Sequence, residues 1–84
     1  MSNAIALEKI LTFIVDTYLV EIEEIPLDSS LIDEGIIDSF GLIELASFLE
    51  KAFLIPVKDD DLTRENFGSI NKMIALVDRK KTNA

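Results

Sequence analysis

Cysteine, histidine and tryptophan are all absent from the 84-residue chain. Without cysteine there are no structural disulfides, and without histidine the ordinary zinc sites and every Ser–His or Cys–His nucleophile arrangement are gone as well. A hydrolase made from this chain alone would have no identifiable base. Positive charge is scarce too: eight Lys and Arg stand against sixteen Asp and Glu, a net charge of −8. Such a field repels nucleic-acid phosphates and anionic lipid and draws basic protein surfaces, so nucleic acid is not an expected partner. No apolar run is long enough to span a bilayer. The N-terminus lacks the basic and then apolar pattern of a signal peptide, which makes the cytoplasm the expected location.

What the chain does have is apolar content, 49% hydrophobic residues against 29% charged, which places it with folded globular domains rather than acidic disordered tails. Its length suits one domain, expected over residues 5–79, with 1–4 and 80–84 as flexible termini. Leu7, Ile10, Leu11, Ile14 and Tyr18 recur at helical spacing and predict a first helix from Ile5 to about Val20. Pro26, the Ser29-Ser30 pair and Gly35 then break the pattern. A connection this long is unusual in so small a domain and implies either function or embedded short turns, with Leu27, Leu31, Ile32 and Ile36 available for packing.

A second helix is predicted to start at Asp38 or Ser39, burying Leu42, Leu45, Ala46, Leu49 and Phe53, with Ile43 and Phe48 widening the apolar face. Pro56 closes that segment. One short helical turn is expected before Gly68. Ser69 then caps a last helix with Ile70, Met73, Ile74 and Val77 on its buried stripe, and Arg79, Lys80 and Lys81 complement its C-terminal dipole. Three substantial helices and a short one, without strand alternation, give an all-α bundle with a long first loop.

Ser39 stands out because a hydroxyl at a helix N-terminus lies beside backbone N–H groups that lack intrahelical partners, and a phosphate esterified there meets those donors and a favourable dipole. The plain alternative is that Asp38-Ser39 only starts a helix. The acids Asp59, Asp61 and Glu65 suggest calcium, but the loop pattern fails, because Arg64 stands where glycine is needed and Ile70 where the terminal acid belongs. No dedicated metal site is expected.

Asp38-Ser39-Phe40, followed by Ile43-Glu44-Leu45, resembles the Asp-Ser-Leu motif and downstream apolar–Glu–Leu pattern of acyl and peptidyl carrier proteins. Leu31 to Gly35 is similar to that family's approach to its attachment site, Phe53 to Val57 to the end of its second helix, and Asp61-Leu62-Thr63 with Glu65-Asn66-Phe67 to its third-helix region. The resemblance covers nearly the whole chain. It implies an acyl-carrier-like four-helix bundle in which a phosphopantetheinyl transferase, using coenzyme A and Mg²⁺, attaches 4'-phosphopantetheine covalently to Ser39. The arm's thiol then carries acyl thioesters, and the protein itself is not an enzyme.

The resemblance further implies partner recognition by Asp38, Phe40, Glu44 and Glu50, with loading and downstream biosynthetic enzymes as partners of a monomeric carrier. The implied setting is a stand-alone acyl carrier protein of fatty-acid, polyketide or related biosynthesis. Gly41 and Lys51 depart from the fatty-acid type, and Phe40-Gly41 is closer to carriers of aminoacyl, D-alanyl or polyketide-type systems, so an aminoacyl or D-alanyl carrier is an alternative. Gly41 either leaves room for an approaching enzyme or has no role. Phe48, Phe53 and Phe67 are expected to fill the centre rather than frame an acyl pocket. A reading from another class is an unmodified acidic helical adaptor that docks a partner through its second helix.

Overall fold

The computed structural model describes residues 3–82 and contains, among these, four α-helices and two short 3₁₀ turns. The helices are α1 (Asn3–Tyr18), α2 (Ser39–Phe53), α3 (Arg64–Phe67) and α4 (Ile70–Thr82), and the 3₁₀ turns are Ile22–Glu24 and Asp59–Asp61. α4 packs on α1 and α3, and α1 lies against α2. This is the all-α, acyl-carrier-like four-helix bundle that the spacing and resemblance predicted.

One core joins all four helices. Ile10 and Ile14 of α1, Leu45 and Leu49 of α2, Phe67 of α3, and Ile70, Met73, Leu76 and Val77 of α4 are buried there. The long connection contributes Ile25, Leu31 and Ile37 to the same core, so it is a packed structural segment. Leu27 and Ile32, predicted to pack, are instead 40% and 41% exposed. Local bonds shape the segment: the Ser30 hydroxyl accepts the Asp33 amide at 3.2 Å, and Ile36 N–H donates to the Leu31 carbonyl at 2.9 Å. Gly35 sits between them at φ 78°, a conformation that a Cβ disfavours.

Three helix ends differ from expectation. α1 stops at Tyr18 rather than Val20 because Leu19 turns to φ 55°, the left-handed conformation that closes a helix, and Leu54 ends α2 in the same way before Pro56 is reached. α4 runs beyond Arg79 to Thr82. Part of the reason is Lys80, whose ammonium lies 2.7 Å from Asp61 Oδ2 in a largely covered pair. Arg79 donates to the Asn66 side-chain oxygen, and the Asn66 amide donates to the Asp61 carbonyl. Residues 1–2 and 83–84 of the expected flexible termini lie outside the described residues. Ser69 caps α4 as predicted, its buried hydroxyl accepting the Lys72 amide at 3.2 Å.

The Asp61 carboxyl is held below its ordinary range, first by the Lys58 N–H that donates to it at 2.9 Å and then by Lys80. A carboxyl whose pKa is depressed on folding adds stability above its unfolded pKa of about 3.9, and that contribution fades as pH falls through the folded value. Asp61→Asn is therefore expected to melt a few degrees lower than the parent at neutral pH. The gap should begin to narrow as pH falls below ~4 and close only once the pH is below the depressed folded value, where the parent's carboxyl is protonated too. Melting curves at the two pH values check this, and a gap that persists unchanged in acid contradicts the assignment.

Candidate functional site

The first turn of α2 is set by Asp38, whose extended backbone (φ −106°, ψ −171°) precedes the helix and whose Oδ1 accepts the Gly41 amide at 2.8 Å. Asp38 is thus the N-cap, as the plain reading of the sequence had it. Its cap leaves the Ser39 and Phe40 amides in the first turn without intrahelical acceptors. Ser39 itself is exposed, and among the described residues its hydroxyl has no hydrogen-bond partner. An exposed hydroxyl, free amides and the positive end of a helix dipole therefore meet at one point, which suits a covalently held phosphate.

The residues beside Ser39 divide between surface and interior. Phe40 is 77% and Ile43 58% exposed, so Ile43 does not widen the buried face as expected. These two apolar side chains stand one helical turn apart on the solvent side of α2. Phe48 is also not in the centre. It is half-buried on the α1 side, stacked on Phe13 with ring centroids 4.3 Å apart, while Phe53 and Phe67 do reach the core.

Gly41 is buried and faces inward, so neither sequence reading of it holds. A Cβ there would lie 2.9 Å from Ile37 Cβ and 2.9 Å from the Tyr18 hydroxyl oxygen. The missing side chain makes room for Tyr18, the last residue of α1. The Tyr18 hydroxyl donates to Glu44 Oε1 at 2.8 Å, with the Gly41 carbonyl further off at 3.4 Å. Burial of the phenol, and then the Glu44 carboxylate accepting from it, push the Tyr18 pKa well above its usual value. Glu44 is therefore an exposed carboxylate held from one side rather than a freely swinging charge.

Glu50, predicted alongside Glu44, lies two helical turns further along α2. Its Oε2 accepts the Val57 amide at 3.2 Å and ties down the segment that follows the helix. Tyr18 is the site residue the sequence reading missed, since it was placed on the ordinary core stripe of α1. Its partners are 23 and 26 residues away, beyond any local pattern. The one available signal was chemical: a lone tyrosine at the end of a buried stripe needs a partner for its hydroxyl.

Near the site, Ser30, Ile32, Leu42, Leu62, Thr63, Arg64, Phe67 and Gly68 line an open cleft of about 140 Å³ between the long connection, α2 and α3. Among the described residues no cluster of three acidic side chains is placed to hold a metal ion, and no helix is long and apolar enough to cross a membrane.

The profile of the family described as "Phosphopantetheine attachment site" matches residues 8–77. The chain is 36% identical over 70 residues to the D-alanyl carrier protein of Streptococcus suis (strain 05ZYH33), an overlap covering 83% of this chain and 87% of the relative. It is 42% identical over 55 residues to the D-alanyl carrier protein of Lactococcus lactis subsp. lactis (strain IL1403), covering 66% and 70%. The acyl carrier protein of Petrotoga mobilis (strain DSM 10674 / SJ95) is 32% identical over 73 residues, covering 87% and 84%.

Proposed function

The chain belongs to the phosphopantetheine-attachment-site family, whose members are non-catalytic carriers with a covalent 4'-phosphopantetheine arm, and on that footing we propose that its arm is attached to Ser39 and carries a small aminoacyl group of the D-alanyl kind. The observation that carries the site assignment is the exposed, unpaired Ser39 hydroxyl in a helix turn already capped by Asp38. Ser39 Oγ is the ester atom, and the Ser39 and Phe40 amides face the phosphate. Asp38 keeps those amides aimed outward by holding the turn closed behind them. The arm supplies the thiol that a chain without cysteine lacks.

In this reading residues 5–79 form the carrier domain, which acts as a cytoplasmic monomer. The partners are a phosphopantetheinyl transferase, a loading enzyme and the enzymes that take the cargo onward. Asp38, Phe40 and Glu44 meet them beside the arm. Glu50 adds a third anionic contact further along α2.

Small cargo is supported by the two relatives named D-alanyl carrier proteins. The second reading, an acyl carrier, is favoured by the relative from Petrotoga mobilis named acyl carrier protein.

Intact-mass spectrometry after incubation with coenzyme A, Mg²⁺ and a broad-specificity phosphopantetheinyl transferase tests the assignment. One addition per chain, mapped to the peptide holding Ser39, is expected. No addition beside a control carrier that loads normally would sink this reading in favour of the unmodified adaptor. Presenting the loaded protein to an adenylating enzyme with D-alanine, and separately to an acyltransferase, then distinguishes the two cargoes.

A further inference from the structure

The Tyr18 ring is fixed by its neighbours. Phe13 meets it edge-on, with centroids 6.4 Å apart and planes at 84°, and Phe13 is in turn stacked on Phe48. On its other side the hydroxyl fits over the bare Cα of Gly41. A rigid ring held in this way leaves the hydroxyl little choice of direction, and it donates to Glu44. The Glu44 carboxylate is thereby restrained one turn after Phe40, on the helix that begins with Ser39.

We propose that Tyr18 is a positioning residue for loading: it touches neither Ser39 nor the arm, but pre-orders the Glu44 carboxylate that a basic surface of the phosphopantetheinyl transferase engages. This rests on the reading that Ser39 is the loaded residue. A long side chain ordered before encounter does not have to be ordered during it, and ordering one such side chain at an interface typically weakens binding by about two- to tenfold. Gly41 belongs to the same device, because any larger residue there would displace the hydroxyl. The unusual glycine thus serves the partner indirectly, through what it admits from α1.

Tyr18→Phe keeps the aromatic ring and removes only the hydroxyl. In steady-state loading well below the melting temperature, this variant is expected to show a KM for the carrier raised about two- to tenfold with kcat unchanged, the pattern of lost uniform binding. In a Glu44→Ala background the same change should raise KM no further, since no carboxylate remains to be aimed. A purely structural role lowers the melting temperature in both backgrounds and leaves KM alone. The proposal is overturned if Tyr18→Phe loads with the parent's KM, or if it raises KM equally with and without Glu44. If the parent itself takes no arm at Ser39, the carrier assignment falls and this inference with it, an outcome distinct from a parent that loads normally beside an unaffected variant.

Discussion

Ser39→Ala is expected to take up no phosphopantetheine under conditions that load the parent completely, while keeping the same helical circular dichroism. The two halves of this result have separate causes. Loading needs the one oxygen that alanine lacks. Folding does not, because the cap is made by Asp38, the Ser39 hydroxyl bonds to nothing among the described residues, and the side chain is exposed. Alanine is a good helix former, and exposed substitutions away from caps and cores stay within about 0.5 kcal/mol. Two of the other serines are already engaged: Ser30 and Ser69 each hold a backbone amide with their hydroxyl, and Ser69 is buried. Intact mass and a thermal melt on the same sample decide the matter, and an arm found on the alanine variant would remove Ser39 from the site.

Gly41→Ala should destabilise the fold, against the usual preference of helices for alanine. On an open helix surface the exchange would gain up to about 1 kcal/mol. Here the added Cβ meets Ile37 Cβ and the Tyr18 hydroxyl oxygen, each at 2.9 Å, and neither is the loose end of a flexible chain. Overpacking of this kind typically costs about 1–3 kcal/mol, which set against a propensity gain of up to about 1 kcal/mol leaves a net loss of about 1 kcal/mol. For a domain of this size that is a fall in Tm of roughly 4–8 °C. In a Tyr18→Phe background one of the two clashes is gone, so the double variant should lose less than the two single losses combined. A Gly41→Ala protein that melts at or above the parent contradicts this account.

The helical layout was legible because the apolar period is local. Ile10 and Ile14, Leu45 and Leu49, and Met73 and Val77 repeat at helical spacing and are buried as the spacing predicts. The place of Ser39 in the first turn of α2 and its Asp38 cap were legible for the same reason, since capping chemistry lies within a few residues of the helix start. The width of a buried face is not local. Ile43 lies at the margin of the α2 stripe, and no neighbour in this fold reaches that margin, so it stays exposed. The roles of Gly41 and Glu44 were hidden because both depend on where the end of α1 arrives. A helix that stops two residues earlier than the apolar pattern suggests brings Tyr18 to them. Lys80 is similar: as part of a basic tail it is expected to fray, and only the approach of Asp61 from a distant 3₁₀ turn anchors it.

The placement of the lysines gives the molecule a polarity that its net charge conceals. Lys9, Lys81 and Asp78 border the same hollow as Phe53, and Lys51 follows Glu50 near the end of α2, so where that helix finishes the acids are offset by lysines. Asp38 and Glu44 flank its beginning. Fifteen helical residues at ~1.5 Å each separate the two ends by about 22 Å, more than twice the ~8 Å over which physiological salt screens a charge. Each end therefore acts on an approaching surface nearly independently of the other. A cationic surface is drawn to the first end more than to the second, and the resulting couple turns the carrier about its short axis during approach. The search for the productive orientation is thus partly completed in solution, before any side chain touches.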